Sequence, residues 1–191
     1  RQNTELLPLL KELRKITEGK LLFVQVTAEK SDDMVCEAQK TANLLGGDIC
    51  IKIPATEEGL RAIKILSRDG ISTAATAVYS LSQAMLCAAA GADYVAPYMS
   101  HIDNLCLDSA QVVGDMAKLF REHYPKTNVL AASSRVAEQI TRAVLCGVGA
   151  VTVAPEMLPV LIGNRGTDAE LKKKKKNWSS VYGNKSVGEL I

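Results

Sequence analysis

Strand-like and helix-like segments alternate along the whole 191-residue chain, and that alternation restricts the fold more than any other feature. Six apolar runs of strand length, at residues 21–26, 49–53, 71–78, 93–98, 128–133 and 150–154, are separated by segments of helical periodicity. Strands joined in this way run parallel, with right-handed crossovers. The apolar fraction is 47% but aromatics are only 4%, so Ala, Val, Ile and Leu dominate, as in a parallel sheet covered by helices. The length suits a single domain. Two architectures fit: an open doubly wound sheet, or a (βα)8 barrel. A complete barrel needs eight strands and about 250 residues. Yet the chain opens on a helix with no strand before it, as a barrel lacking its first strands would.

That opening helix runs from Glu5 to Ile16, with Leu6, Leu9, Leu10 and Leu13 on one stripe and Thr4 as its cap. Ser31, Thr56, Ser80 and Ser109 are the expected caps of later helices. Residues 99–108 read as a loop. After Pro155 a short helix is expected, then a loop through Gly166 and a last helix over about 168–182.

The strand around Lys52 carries the chemistry. Ile49, Ile51 and Ile53 share one face, which puts Lys52 on the other. Pro54 ends the strand and Thr56 opens a helix with Glu57 and Glu58 in its first turn. Lys52 therefore lies near the C-terminal end of a strand, where α/β folds bind ligands. A lysine amine short of water is a nucleophile toward carbonyl groups. The plainer alternative is a lysine that reaches solvent or pairs with a carboxylate.

Other chemistries find little support. The turn after Val26 reads Thr27-Ala28-Glu29-Lys30, without the glycines of a dinucleotide site. Gly147-Val148-Gly149 follows a helix and reads as a helix stop. No HExxH and no His or Cys cluster occurs, so neither a metal nor another cofactor is expected. A Ser–His–Asp triad from Ser133, His101 and Asp103 is disfavoured, because no nucleophile elbow accompanies it. The net charge of +2 gives no reason to expect nucleic acid or membrane as a partner, and the lysine run at 172–176 reads as a solvated helix face. Five cysteines without a CxxC pair suit a reducing, cytoplasmic setting.

Gln25, Lys52, Thr76, Tyr98, Ser133 and Arg135 all fall at C-terminal strand ends, which converge on one mouth in a barrel. A buried lysine, a phenol and amide or hydroxyl donors suit Schiff-base carbonyl chemistry. At these residues the chain resembles the transaldolase family, in its fructose-6-phosphate aldolase-like branch. The segments concerned are Ile-Lys-Ile-Pro-Ala-Thr-Glu-Glu-Gly-Leu around Lys52, Ala-Thr-Ala-Val-Tyr around Thr76, Ala-Asp-Tyr-Val-Ala-Pro-Tyr ending at Tyr98, and Val-Leu-Ala-Ala-Ser ending at Ser133.

The resemblance implies a class I aldolase fold, a (βα)8 TIM barrel spanning 1–191 as one partial domain, with Lys52 as the Schiff-base lysine. It implies a proton-transfer role for Tyr98, with a water held by Gln25 and Thr76. Ser133, Arg135, His101 and Ala96 would line the place of the substrate and its phosphate. Transaldolases proper carry Glu at the Gln25 position and usually Phe at the Tyr98 position, so this pair points to an aldolase. His101 stands where the family usually has an arginine, which makes phosphate affinity depend on pH. The expected activity is cleavage or formation of fructose 6-phosphate or a related ketose from dihydroxyacetone and an aldehyde such as glyceraldehyde 3-phosphate. The resemblance further implies a homo-oligomer, a pentameric ring stacked in pairs to a decamer, with Trp178, Val181 and Tyr182 at the contact.

The family's first two strands have no counterpart here, and strands 21–26 and 150–154 carry none of the devices that protect sheet edges. They are expected to pair with strands supplied upstream of Arg1. Two alternatives stay open: a transaldolase moving a dihydroxyacetone unit between sugar phosphates, and an inactive truncated subunit serving only in assembly.

Overall fold

The computed structural model describes residues 5–191. It divides into two compact units, one ending at Val153 and one running from Ala154 to Ile191. In the first, the elements follow the expected alternation: α1 (Leu6–Ile16), β1 (Leu22–Gln25), α2 (Ser31–Leu45), β2 (Ile49–Pro54), α3 (Glu57–Arg68), β3 (Ser72–Val78), α4 (Leu81–Ala90), β4 (Tyr94–Pro97), α5 (Met99–Asn104), α6 (Ser109–His123), β5 (Asn128–Ala131), α7 (Ala137–Leu145) and β6 (Ala150–Val151). Every pairing is parallel and the strand order is β1-β2-β3-β4-β5-β6. This sequential order has no switch point, so the doubly wound alternative falls.

The sheet is curled. Phe23 of β1 and Tyr94 of β4 meet edge to face with ring centroids 5.4 Å apart. In a flat sheet the two intervening strands would hold them about 14 Å apart. The period of two along each strand sorts the core accordingly. Ile49, Ile51, Ile53, Ala75, Val95, Val129 and Ala131 face out and bury against residues such as Met34, Ile63, Leu66, Val113, Met116 and Phe120 of the covering helices. A separate, smaller cluster joins Ala96, Leu130 and Ala132 to Phe23, Tyr94, Tyr98 and Ala150 on the concave face. The result is a parallel six-stranded half-barrel, consistent with part of a TIM barrel. Among the described residues β1 pairs only with β2, and β6 only with β5, so this is not a closed six-stranded barrel.

Several local expectations need correction. Residues 99–108 are not a loop: Met99–Asn104 is a helix with Met99, Ser100 and Ile102 buried. Six residues are too few to show helical periodicity, and the helix is held by tertiary bonds from Met99 N to Ala132 O (2.9 Å) and from Ser100 N to Ser133 O (3.3 Å). Thr56 and Ser80 cap as expected. Ser31 and Ser109 lie inside their helices. Asp108 caps α6 instead, and Glu58 Oε2 accepts from Ser31 N at 2.9 Å. The Thr4 cap lies outside the described residues. β6 is two residues long rather than five, and among the described residues it pairs only with β5. The leucine stripe of α1 forms as expected, but none of its residues is buried.

In the second unit a 3-10 turn (Pro155–Met157) precedes α8 (Leu158–Ile162) and α9 (Arg165–Tyr182). α9 starts earlier than expected because Asn164 Oδ1 accepts from Gly166 N (2.8 Å) and Thr167 N (3.4 Å). Its five consecutive lysines are all exposed. The Trp178 and Tyr182 rings pack at a tilt of 41° with centroids 4.6 Å apart, and Trp178 Nε1 donates to Lys185 O at 2.7 Å.

Candidate active site

β2 lies inside the half-barrel, paired with β1 on one side and β3 on the other. Ile51 and Ile53 are fully buried against the helices, and Lys52 between them takes the concave face. The Lys52 side chain is half-buried. Among the described residues no carboxylate lies within 4.0 Å of it, so the carboxylate-paired alternative finds no support. The register sets Gln25 directly opposite Lys52 on β1, and Thr76 opposite Pro54 on β3. The Thr76 hydroxyl donates to Gln25 Oε1 at 3.5 Å, a long bond that spans β2 beside the lysine. Thr76 is 2% exposed whereas Gln25 is exposed, so the threonine anchors the glutamine. Cys50 shares the concave face. Burial pushes its thiol up to about 12, against a smaller opposing effect of the Ser72 hydrogen bond and of Lys52, so it is inert near neutrality.

A second group forms around Tyr98. Between Ala75 and Val78 the register of β3 against β4 shifts, and Ala77 takes a φ of +54°. Such a bulge re-aims the residues after it. Val78 turns outward into the helix-facing core, and Tyr79 reaches the neighbourhood of the next strand end. The Tyr79 ring lies 6.0 Å from Tyr98 and 6.2 Å from His101, and Tyr98 lies 5.5 Å from His101. His101 Nδ1 is 3.3 Å from the Ser133 hydroxyl, and Ser133 sits at a left-handed φ of +57°. Arg135 follows in the same loop, its side chain exposed, just before α7. Ala96 is 1% exposed in the concave cluster next to Tyr98.

The structure thus brings Gln25, Lys52 and Thr76 together, and Tyr98, His101 and Ser133 together. No hydrogen bond among the described residues links the side chains of the two groups. They are joined through the ladder, where Tyr98 N donates to Val78 O at 3.1 Å. The Ser–His–Asp triad does not assemble. Ser133 meets His101, but Asp103 accepts from Gln139 Nε2 (2.5 Å) and Ser109 N (2.9 Å) instead. Desolvation opposes it, yet these bonds hold the Asp103 carboxyl below its ordinary range. A cleft of about 480 Å3 lies at the other end of the strands, beside Asp93 and Thr127, and contains none of these residues. Strand C-termini, not N-termini, carry the chemistry of barrels, so the concave mouth is the candidate site.

The model of the transaldolase/fructose-6-phosphate aldolase family matches residues 5–186. The chain belongs to this family. Membership of the transaldolase/fructose-6-phosphate aldolase family carries aldolase- or transaldolase-type chemistry in general, and is compatible with a sugar-phosphate partner. Among the described residues no helix is long and apolar enough to cross a membrane.

Two residues near the site were not singled out from the sequence. Tyr79 sits inside the Ala-Thr-Ala-Val-Tyr segment, but period-two reasoning cannot place it without the bulge at Ala77. Gln139 lies on a helix whose apolar stripe alone attracted notice. Its partners on α5 come from sequence positions 36 to 39 residues away, more than one βα unit, and no local pattern marks them.

Proposed function

We propose that this protein is a Schiff-base (class I) aldolase of the fructose-6-phosphate aldolase type. The Lys52 amine adds to the carbonyl of dihydroxyacetone, and water leaves to give an iminium. Loss of a proton from the adjacent carbon gives an enamine. That carbon bonds to the carbonyl carbon of an aldehyde such as glyceraldehyde 3-phosphate, whose oxygen takes up a proton. Water then hydrolyses the new iminium, freeing fructose 6-phosphate and Lys52. Tyr98 transfers the proton, through a water held between Gln25 and Thr76. Ser133, His101 and Arg135 hold the phosphate near the N-terminal end of α7, where the backbone amides favour an anion, with Ala96 lining the wall.

One observation carries this reading. A half-buried lysine without a carboxylate partner among the described residues stands on the concave face, with Gln25 in register and Thr76 bonded to Gln25. Gln25 in place of glutamate and Tyr98 in place of phenylalanine support an aldolase over a transaldolase. The same reading takes the half-barrel as part of a single (βα)8 domain, in which further strands cover β1 and β6. It also takes the protein as a cytoplasmic homo-oligomer, a setting that suits its five free thiols.

Borohydride in the presence of dihydroxyacetone should trap a covalent adduct on the peptide containing Ile51-Lys52-Ile53, and Lys52→Met should form none and cleave no fructose 6-phosphate. Undiminished cleavage by Lys52→Met would sink the mechanism.

A further inference from the structure

Gln139, on the first turn of α7, is bonded through both ends of its amide. Its Oε1 accepts from the Ser100 hydroxyl (3.1 Å), from Arg135 N (2.7 Å) and from Val136 N (3.4 Å). Its Nε2 donates to Asp103 Oδ2 at 2.5 Å. Only this orientation works, since three donors face the oxygen and a carboxylate faces the nitrogen. Asp103 is itself fixed by Ser109 N at 2.9 Å.

The partners fall on two pieces of chain. Ser100 and Asp103 flank His101 on α5, so their bonds set the rotation of that short helix and the direction of the imidazole. Arg135 and Val136 belong to the loop that also carries Ser133, and their amides fix its path. Those two pieces meet where Ser133 Oγ stands 3.3 Å from His101 Nδ1. The two pieces also touch directly, through Ser100 N to Ser133 O (3.3 Å) and the Ser134 hydroxyl to Met99 Sδ (3.7 Å), but among the described residues Gln139 is the one side chain from outside both that bonds to each.

We propose that Gln139 is a positioning residue for the anion-binding part of the site: it holds His101 and the Ser133–Arg135 loop at the spacing that grips a phosphate. This rests on the reading of the site given above. It goes beyond it by making selectivity for a phosphorylated over an unphosphorylated aldehyde depend on a side chain that touches neither.

The test compares Gln139→Leu, Gln139→Glu, Asp103→Asn and the double variant Gln139→Glu/Asp103→Asn with the parent protein. Gln139→Leu removes every bond. Gln139→Glu keeps the three acceptor bonds and sets a carboxylate against Asp103. The double variant restores a donor, because the amide introduced at position 103 can face the carboxylate introduced at position 139 while its oxygen still accepts from Ser109 N.

Gln139→Leu and Gln139→Glu should raise KM for glyceraldehyde 3-phosphate by at least roughly tenfold, the equivalent of about one net hydrogen bond lost from the loop. Their KM for unphosphorylated glyceraldehyde and their borohydride trapping with dihydroxyacetone should stay within about twofold of the parent. The double variant should recover most of the loss. Equal losses with both aldehydes, or no recovery in the double variant, would overturn the proposal by showing a merely structural role.

A binding measurement separates this proposal from the aldolase reading. Inorganic phosphate, titrated against the His101 ring resonances, should bind the parent at least roughly tenfold more tightly than Gln139→Glu. Phosphate affinity indifferent to Gln139, or absent in the parent, overturns the positioning role whatever reaction the protein catalyses. Phosphate binding that depends on Gln139, in a protein that forms no adduct at Lys52, upholds it while refuting the aldolase.

Discussion

Replacing Gly59 by alanine should destabilise the protein, although alanine is about 1 kcal/mol better than glycine inside a helix. Gly59 lies in the first turn of α3, immediately after the lysine strand. A Cβ built there would stand 1.9 Å from the carbonyl oxygen of Pro54 and 3.2 Å from Thr56 Oγ1. The first contact is with backbone at the end of β2, so no rotamer change relieves it. α3 would have to retreat by about 1 Å or more to restore van der Waals separation. Overpacking of this kind costs about 1–3 kcal/mol. The retreat also strains the Gly59 N to Thr56 Oγ1 cap, now 3.0 Å, which is worth about 1 kcal/mol. After the propensity gain is subtracted, a net loss of about 1–3 kcal/mol remains.

Urea denaturation followed by circular dichroism reads this as a lower midpoint at unchanged slope. The thermal midpoint should fall by roughly 2–4 °C per kcal/mol. Gly188→Ala is the control, since nothing lies within 4 Å of a Cβ there, and it should shift stability by less than about 0.5 kcal/mol. A midpoint for Gly59→Ala equal to or above that of the parent would refute the argument that the helix is packed onto the strand end at this glycine.

Tyr98→Phe should lower aldol cleavage by about 10²–10⁴, the range of a general acid–base group, while leaving borohydride trapping at Lys52 intact. Equal cleavage rates in the two proteins would remove Tyr98 from the proton step. Acid sensitivity should trace in part to Glu37, whose carboxylate accepts from Thr27 N (2.7 Å), Ala28 N (3.2 Å) and the Thr27 hydroxyl (3.1 Å). The Thr27 backbone bond leads in holding this carboxyl below its ordinary 4.5, so its stabilisation is complete above about pH 4.5 and is lost as pH falls through the depressed value. Glu37→Gln should therefore flatten the fall in thermal midpoint on the acid side, and an unchanged pH profile would refute this linkage.

The elements that could be read from the sequence are those whose cause is local. β2 is the clearest case: alternation assigns Ile49, Ile51 and Ile53 to one face and Lys52 to the other without knowledge of any other strand, and Pro54 and Thr56 end the strand and start the helix through their own backbone chemistry. The Ser80 cap follows from the same kind of reasoning. A parallel order was implied once strands and helices alternated, because parallel neighbours need a crossover.

What the tertiary structure decided depends on groups brought together from different βα units. The curl that brings Phe23 to Tyr94 depends on strand twist and on packing against the helices, which no single strand encodes. Residues 99–104 are helical because the ladder to β5 continues past Tyr98, an influence that acts from beyond the segment's own six residues. The bulge at Ala77 reverses the facing of Val78 and turns Tyr79 toward Tyr98, since one extra residue inverts every later side chain in a pattern of period two. Gln139 acquires its place only when α5 and the loop before α7 lie side by side. Backbone propensity and alternation act over a few residues and can be read along the chain. Hydrogen bonds between βα units act across space, so their partners are chosen only once the half-barrel has formed.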